Sequence, residues 1–356
     1  MENVLTVGIK YPDIPHYELN SSLKELELLV ATAGGKVVQT VVQNRVKPDP
    51  AFLIGKGKVE EIAQIVRNNK NIKTVAFDDE ITPAQQRNLE ETINTKIITR
   101  TKIILDIFGY RARTKEGILQ VELARLNYDL PRLNRKGIWL DSQAGGIGTR
   151  RGPGEKKLEY DKRVIRDKIS ELKHEIDFVR KHREIQRLAR KNDGVTIVSL
   201  AGYTNAGKST FLNAVLDITG QNTSKVYADN KLFATLDTTI RRVKLPSGKF
   251  ALFIDTVGFI RKLPHQIIAA FRATLEEITE SQYILHLIDI NSPDYARQEQ
   301  IVTDTLREIK CENIPLIKVY NKYDLVDIKP KDNNFYISAK TGYGINNLLH
   351  YIDKLI

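Results

Sequence analysis

Residues 202–209 read Gly202-Tyr203-Thr204-Asn205-Ala206-Gly207-Lys208-Ser209, which is a G-x-x-x-x-G-K-S pattern. The apolar run 196–201 before it predicts a strand, and residues 210–216 after it predict a helix. A glycine-rich turn between a strand and a helix is the setting in which this pattern cradles phosphate groups. We therefore predict a phosphate-binding turn in an α/β domain, and residues 202–209 are called the phosphate loop below.

Each part of the phosphate loop has an expected role. Gly202 and Gly207 let the backbone curl so that amide N–H groups converge on phosphate oxygens, and the following helix N-terminus adds partial positive charge. Lys208 would reach the β- and γ-phosphates, and the Ser209 hydroxyl would coordinate Mg²⁺. We expect the whole loop and Thr210 to contact a nucleotide; a glycine-rich turn without chemical role is the alternative.

The bulk properties restrict the class of protein. With 356 residues the chain is long enough for two or three domains, each with its own core. The single cysteine, Cys311, excludes an intramolecular disulfide and a multi-cysteine metal site, and it suits a reducing compartment. The sequence has no signal-peptide core and no apolar run of about 18 residues. We expect a soluble, cytoplasmic monomer without a membrane span.

The net charge of +11 is unevenly distributed. Residues 1–194 carry 36 basic and 27 acidic side chains, and residues 96–166 alone carry 17 basic and 8 acidic ones. A focused basic excess favours a polyanionic partner that docks on this segment. A solvated basic surface without a dedicated partner is the alternative.

The first of three predicted domains, residues 1–110, alternates short apolar runs with helical patterns. Thr82-Pro83 opens a helix, because proline is favoured in a first helical turn, and Ser21 is expected to cap another that runs to Val30. This alternation predicts a small α/β domain with a parallel or mixed sheet. The remaining predicted elements are strands over Val4–Ile9, Lys36–Val42 and Thr74–Phe77 and a helix over Val59–Val66.

The second predicted domain, residues 111–194, is basic and contains a glycine-rich loop at Gly145–Gly154. A hydrophobic seam then predicts an antiparallel helical hairpin or a short coiled coil, with one long helix that runs to Lys191. Asn192-Asp193-Gly194 is expected to end that helix. The seam consists of Leu158, Ile165, Ile169, Leu172, Ile176 and Val179.

The third predicted domain, residues 195–356, alternates strands and helices strictly, which predicts a doubly wound, mostly parallel sheet of the P-loop GTPase type. The apolar strand Phe250–Ile254 ends in Asp255-Thr256-Val257-Gly258. Asp255 is placed to hold Mg²⁺, through water, and the Gly258 amide to face the γ-phosphate. Phosphoryl transfer needs both, since metal and N–H donors neutralise charge on the phosphate oxygens.

A switch threonine is expected between these two motifs, in the stretch Lys231-Leu232-Phe233-Ala234-Thr235-Leu236-Asp237-Thr238-Thr239. A loop threonine can complete the Mg²⁺ shell only while the γ-phosphate is present. Thr235 is our candidate, and spacing alone leaves Thr239 open. Lys208, Gly258 and the switch threonine are the candidate catalytic residues.

Asn321-Lys322-Tyr323-Asp324 predicts recognition of guanine. The Asp324 carboxylate can accept from both N1–H and the N2 amine of guanine, a donor pair that adenine lacks. Asn321 and Lys322 would hold the loop and cover the base, and Ser338-Ala339-Lys340 would place backbone amides near guanine O6. Together with the earlier motifs, in this order, the string predicts a guanine-nucleotide-binding domain.

Phe259 occupies the position after Gly258 where small GTPases carry a water-orienting glutamine. Phenylalanine neither donates nor accepts that hydrogen bond, so we expect slow intrinsic hydrolysis that a bound partner accelerates. Packing of Phe259 beneath the switch is a compatible structural role.

Several stretches together resemble the HflX family of ribosome-associated GTPases. They are GGIGTRRGPGEKKLE at 145–159, FATLDTTIR at 233–241, DTVGF at 255–259 and FLIGKGK at 52–58. The resemblance covers nearly the whole chain. Two departures are the paired Arg150-Arg151 in the glycine loop and Asp237-Thr238, where a proline is often found.

The resemblance implies a set of contacts and a partner. The partner is the large ribosomal subunit with its rRNA, engaged mainly through the basic N-terminal region. The implied Mg²⁺ ligands include Ser209 and Thr235, which favours Thr235 over Thr239. The implied nucleotide contacts are Gly202–Ser209, Phe233–Asp237, Asp255–Gly258, Asn321–Asp324 and Ser338–Lys340.

Two competing functions make different demands on the sequence. A signalling-type GTPase that acts on a protein partner would give the basic segment no role. A metabolic nucleotide-dependent enzyme would need a second substrate pocket with catalytic side chains, and no sequence cluster supplies one.

Overall fold

The computed structural model describes residues 1–133, 153–192, 195–221, 232–233, 238–262, 277–327, 329 and 334–356, with only the backbone at 153–157 and 182–192. The chain divides into two compact units. The N-terminal unit consists of Met1–Gly109 and Ile118–Val179, and the C-terminal unit consists of Tyr110–Gly117 and Arg180–Ile356.

The N-terminal unit contains a four-stranded sheet in the order β2-β1-β3-β4, and every neighbouring pair is parallel. Its central strand is buried on both faces, as parallel sheets covered by helices require. The strands are β1 (Glu2–Lys10), β2 (Gly35–Asn44), β3 (Ile72–Phe77) and β4 (Lys96–Thr99), and the first helices are α1 (His16–Thr32), α2 (Lys56–Asn68) and α3 (Pro83–Ile93).

Two predicted helix starts have different outcomes. The start at Thr82-Pro83 is confirmed: the Thr82 hydroxyl accepts from the Gln85 amide, and the Gln85 side chain accepts from the Thr82 amide. The Ser21 cap is wrong, because α1 begins five residues earlier, after Pro15. Leu19 is buried, so the apolar face of α1 extends N-terminal to Ser21 and keeps that residue inside the helix.

The middle of the chain is helical, as predicted, in α4 (Arg100–Arg111), α5 (Lys115–Asp129) and α6 (Pro153–Asn192). The long helix α6 ends at Asn192, where the sequence predicts its end. Within the predicted seam, Ile169 and Leu172 are buried, whereas Val164 and Phe178 beside the seam are exposed. Residues 134–152, with most of the glycine-rich loop, lie outside the described residues.

The C-terminal unit contains a six-stranded sheet in the order β10-β9-β8-β5-β7-β6. The helices α7 and α9 pack on its buried core. The strands are β5 (Thr196–Gly202), β6 (Thr239–Lys244), β7 (Phe250–Asp255), β8 (Tyr283–Asp289), β9 (Leu316–Asn321) and β10 (Phe335–Tyr336), and the helices are α7 (Lys208–Ile218), α8 (Tyr295–Glu308) and α9 (Ile345–Leu355).

The expectation of strict strand–helix alternation is wrong at one edge of this sheet. Strand β6 pairs antiparallel with β7, while all other neighbouring pairs are parallel. A tight turn joins the two strands: the Leu245 amide donates to the Lys249 carbonyl at 2.8 Å, and Gly248 has φ of 91°. A turn this short can only join antiparallel neighbours. The carboxyl ends of β5, β7, β8 and β9 nevertheless meet at one edge of the sheet.

None of the helices in the described ranges has the length and apolar character that crossing a bilayer requires.

A buried ion network connects the sheet of the N-terminal unit to its first helix. Arg100, at the start of α4, is 1% exposed, and its guanidinium donates to Asp78 Oδ1 at 2.7 Å. It also pairs with Glu25 of α1. Ser22 donates to the other oxygen of Asp78 at 2.7 Å, so the carboxylate is bound on both sides.

Replacing Arg100 should destabilise the protein strongly. In Arg100→Leu the buried carboxylates lose their cation, and we expect the free energy of unfolding to fall by about 3–5 kcal/mol. Denaturant titration of the full chain measures the change. Arg125→Leu is the control, since Arg125 makes only an exposed 3.8 Å pair with Asp106 and should cost at most about 1 kcal/mol. Equal losses in the two variants would contradict this role.

Candidate functional site

The phosphate loop lies at the carboxyl end of β5, and its glycines stand where no side chain fits. A Cβ on Gly202 would collide with the backbone carbonyl of Leu287 in β8. A Cβ on Gly207 would collide with the side-chain amide of Asn321, and Gly207 also has φ of 91°. The two glycines therefore permit a close approach of three chain segments as well as the curl of the loop.

Asn321, at the end of β9, joins the phosphate loop to the predicted base-recognition loop. Its Nδ2 donates to the Ala206 carbonyl at 2.8 Å, and its Oδ1 accepts from the Ala339 amide at 2.9 Å. The side chain is 1% exposed, so these bonds are shielded from water. The structure thus brings three predicted motifs together through one amide group.

Lys208 is buried beneath the phosphate loop. Its Nζ donates to the carbonyls of Gly202 and Tyr203, both at 3.0 Å. Burial lowers the pKa of Lys208 to about 8, although the nearby Asp255 carboxylate opposes the shift. The site holds a cation that is costly to bury and that an anionic ligand would stabilise.

Ser209 and Asp255, the predicted Mg²⁺ ligands from the described residues, are in direct contact. The Ser209 hydroxyl donates to Asp255 Oδ2 at 2.6 Å, and Asp255 is fully buried. A hydroxyl and a carboxylate oxygen beside a phosphate-binding turn are the hard donors that Mg²⁺ takes together with phosphate oxygens and water. This donor set fits the predicted ion.

The strand end at 255–258 lies against the phosphate loop. Thr256 Oγ1 donates to the Leu200 carbonyl at 2.7 Å, which joins β7 to β5. A Cβ on Gly258 would stand 2.9 Å from the Thr204 Cα and 3.1 Å from Lys208 Nζ. Only glycine lets this backbone reach the lysine so closely.

The predicted base-recognition loop has a support that the sequence reasoning missed. Lys322 Nζ donates to Asp289 Oδ2 at 2.6 Å, and Asp289 is the last residue of β8. The position of Asp289, a carboxylate directly at the end of an apolar strand, could have indicated this support from the sequence. Asp324, the predicted guanine acceptor, is exposed.

Aromatic rings line the same loop. Tyr323 stacks on Tyr343 with ring centroids 5.6 Å apart and meets Tyr336 edge-on at 5.5 Å. Lys340, the last residue of the predicted Ser338–Lys340 motif, directly follows Ala339, and the Ala339 amide donates to Asn321 Oδ1.

The predicted switch stretch is only partly described. Phe233 is buried with φ of 56°, whereas Ala234, Thr235, Leu236 and Asp237 lie outside the described residues. Thr239 begins β6, with its Cα opposite that of Asp255. The choice between Thr235 and Thr239 therefore stays a prediction.

Three family descriptions match consecutive parts of the chain. "GTP-binding GTPase N-terminal" matches residues 20–109, and "GTP-binding GTPase Middle Region" matches residues 111–190. "50S ribosome-binding GTPase" matches residues 197–322, which include the phosphate loop and Asn321.

Similar proteins carry the name GTPase HflX. The protein from Caldanaerobacter subterraneus subsp. tengcongensis is 47% identical over 95% of this chain and 77% of its own length. The one from Lacrimispora saccharolytica is 45% identical over 100% of this chain and 83% of its own length. The Escherichia coli protein is 44% identical over 93% of this chain and 78% of its own length.

A solved structure shares the fold. The crystal structure of SsGBP in complex with GDP aligns with a TM-score of 0.53 at 22% identity, covering 100% of this chain and 98% of that one. The likeness supports the architecture of both units taken separately.

The lowered pKa of Lys208 should make nucleotide affinity depend on pH. Binding needs the protonated amine, and phosphate charge raises its pKa again, so binding takes up a proton above pH 8. We expect GDP affinity to fall about tenfold between pH 7 and pH 9, as calorimetry in two buffers would show. Lys208→Arg is the control, because arginine stays charged between pH 7 and pH 9 and all other titratable groups of the protein are the same. Parallel pH profiles for the two proteins would contradict the assignment.

Proposed function

Because this chain belongs to the HflX family of GTPases, we propose that it is a GTP-driven switch that associates with the large ribosomal subunit. The protein binds and hydrolyses GTP, as its family does. The observation that carries the finer proposal is the match of residues 197–322 to ribosome-binding GTPases, together with the basic excess of residues 96–166.

We assign the nucleotide contacts to the predicted motifs. Lys208 holds the β- and γ-phosphates, the Gly258 amide donates to the γ-phosphate, and Asp324 accepts from guanine. Asn321 and Lys322 support the base loop. The other assigned contacts are the remaining residues of Gly202–Thr210, Phe233–Asp237, Asp255–Val257 and Ser338–Lys340.

Ser209, Asp255 and Thr235 would hold Mg²⁺, with Asp255 acting through water and Thr235 only in the GTP state. A bound ion would supply positive charge beside the phosphate oxygens. The hydrogen bond between Ser209 and Asp255 supports this set, because it brings the two oxygen donors within 2.6 Å of each other, and Asp255 lies close enough to Lys208 to affect its charge.

Slow intrinsic hydrolysis follows from Phe259. Its side chain is 2% exposed, and its backbone N–H and C=O both bond to the phosphate loop, so no group of this residue is placed to orient water. Water positioning then falls to a bound partner, and the ribosome is the partner we propose. Such stimulation reaches about five orders of magnitude in other GTPases.

The basic N-terminal region is the proposed contact with rRNA. Arginine and glycine in the loop at 145–154 suit close approach to a phosphate backbone. We further propose a cytoplasmic monomer with domains at 1–110, 111–194 and 195–356, a division that the three family ranges support.

Cosedimentation tests the ribosomal partner. We expect the full chain to pellet with large subunits in the non-hydrolysable analogue GMPPNP, to do so less in GDP, and to hydrolyse GTP faster with subunits present. Affinity should fall steeply with salt. Lys96→Glu/Lys115→Glu, inside the basic segment, should bind less than Lys310→Glu/Lys354→Glu, which makes the same charge change elsewhere. Absence of binding in every nucleotide state would favour a protein-partner switch.

Guanine selectivity is tested at Asp324. An asparagine cannot accept from both guanine donors, but it can donate to the C2 carbonyl of xanthine. Asp324→Asn should therefore weaken GTP binding by about two orders of magnitude and improve binding of xanthosine triphosphate. Asp327→Asn, an exposed carboxylate three residues on, is the control. Unchanged GTP affinity in Asp324→Asn would refute the role.

A further inference from the structure

Beyond Gly258, the chain is attached to the phosphate loop by a short parallel bridge. The Phe259 amide donates to the Gly202 carbonyl at 3.1 Å, and the Phe259 carbonyl accepts from the Thr204 amide at 2.8 Å. Phe259 and Ile260 are both buried. The backbone that carries Gly258 is therefore held next to the loop by ordinary sheet hydrogen bonds.

A second attachment runs through Tyr203 of the phosphate loop. Its hydroxyl accepts from the Arg261 amide at 2.9 Å, and Tyr203 is 5% exposed. The Arg261 guanidinium forms an ion pair with Asp294, and the two side chains are 6% and 4% exposed. Tyr203 and Asp294 thus hold Arg261 from two sides, one at its backbone and one at its side chain.

Asp294 is itself fixed at the start of α8. Its Oδ1 accepts from the Ser292 hydroxyl at 2.8 Å and from Gln298 Nε2 at 3.3 Å. A fully bonded carboxylate on a helix terminus is a rigid anchor for a cation. The series Tyr203, Arg261, Asp294 therefore connects the phosphate loop to α8 through the segment that follows Gly258.

The burial of this ion pair needs a reason other than stability. Removing two charges from water costs several kcal/mol, so apolar side chains would often stabilise such a position as well. What an ion pair adds is a defined geometry. Because Arg261 lies three residues after Gly258, the ion pair restrains the backbone close to the Gly258 amide.

We propose that Tyr203, Arg261 and Asp294 form a positioning network that keeps the Gly258 amide in place for the γ-phosphate before GTP arrives. The inference rests on the proposed contact between Gly258 and that phosphate. A donor already in place costs GTP no ordering entropy on binding. GDP has no γ-phosphate, so its affinity does not depend on the network.

Nucleotide discrimination tests the network. Asp294→Asn and Tyr203→Phe each keep the side-chain shape and weaken one attachment of Arg261. We expect each to lower GMPPNP affinity about tenfold, and Asp294→Asn to leave GDP affinity within about twofold, measured with fluorescent nucleotides. Asp304→Asn, in an exposed 3.1 Å pair with Arg307 on the same helix, should change neither.

Three outcomes separate the alternatives. If both attachments act through Arg261, the GMPPNP affinity of the double variant Asp294→Asn/Tyr203→Phe falls by less than the product of the two single fold-losses. In Asp294→Asn, equal losses of GDP and GMPPNP affinity, or no loss of GMPPNP affinity, would overturn the network, since a merely structural role weakens the binding of both nucleotides. If Gly258→Ala also keeps full GMPPNP affinity, then the γ-phosphate contact itself is wrong; if Gly258→Ala loses GMPPNP affinity and Asp294→Asn does not, the network fails.

Discussion

The nucleotide site depends on backbone that approaches backbone without intervening side chains. At Gly202, Gly207 and Gly258, an added methyl group would meet a carbonyl, an amide or a lysine amine. Glycine at these positions therefore lets β5, β7 and β9 end within reach of one another. A phosphate group needs converging N–H donors, and closely packed strand ends can supply them without any dedicated side chain.

Buried charge is handled differently in the two units. In the N-terminal unit, Arg100 is saturated by two carboxylates and serves to hold helix and sheet together. In the C-terminal unit, Lys208 bonds mainly to carbonyl dipoles, and its lowered pKa records that its charge is incompletely compensated. Two carboxylates already compensate the charge of Arg100, whereas an anion would stabilise that of Lys208. This contrast supports a structural role for Arg100 and the proposed binding role for Lys208.

Local patterns in the sequence predicted much of this architecture. The phosphate loop, the helix start at Thr82-Pro83 and the end of the long helix at Asn192 each depend on residues within a few positions of one another. The same locality explains the error at Ser21, where a plausible capping residue lies inside a longer apolar face. The antiparallel β6–β7 pair was missed because a strict alternation of strands and helices was assumed across its short turn.

Partners that are distant in sequence could not be predicted. Arg100 pairs with Glu25, 75 residues away, and the Tyr203 hydroxyl accepts from the Arg261 amide, 58 residues away. Nothing in the sequence around these side chains indicates their partners, because only the fold brings the two residues together. The motifs thus predicted which residues form the candidate nucleotide site, and the fold shows which contacts hold those residues in place.

The side chain of Asn321 has a consequence for how nucleotide leaves. It donates to the Ala206 carbonyl in the phosphate loop and accepts from the Ala339 amide near the predicted base-recognition loop. One amide group therefore connects the two loops that we propose to bind the two ends of the nucleotide. Under the proposed contacts, displacing one loop would therefore disturb the other as well, and nucleotide would leave both in one step. A protein or RNA that displaced either loop would then promote nucleotide exchange without contacting the other loop.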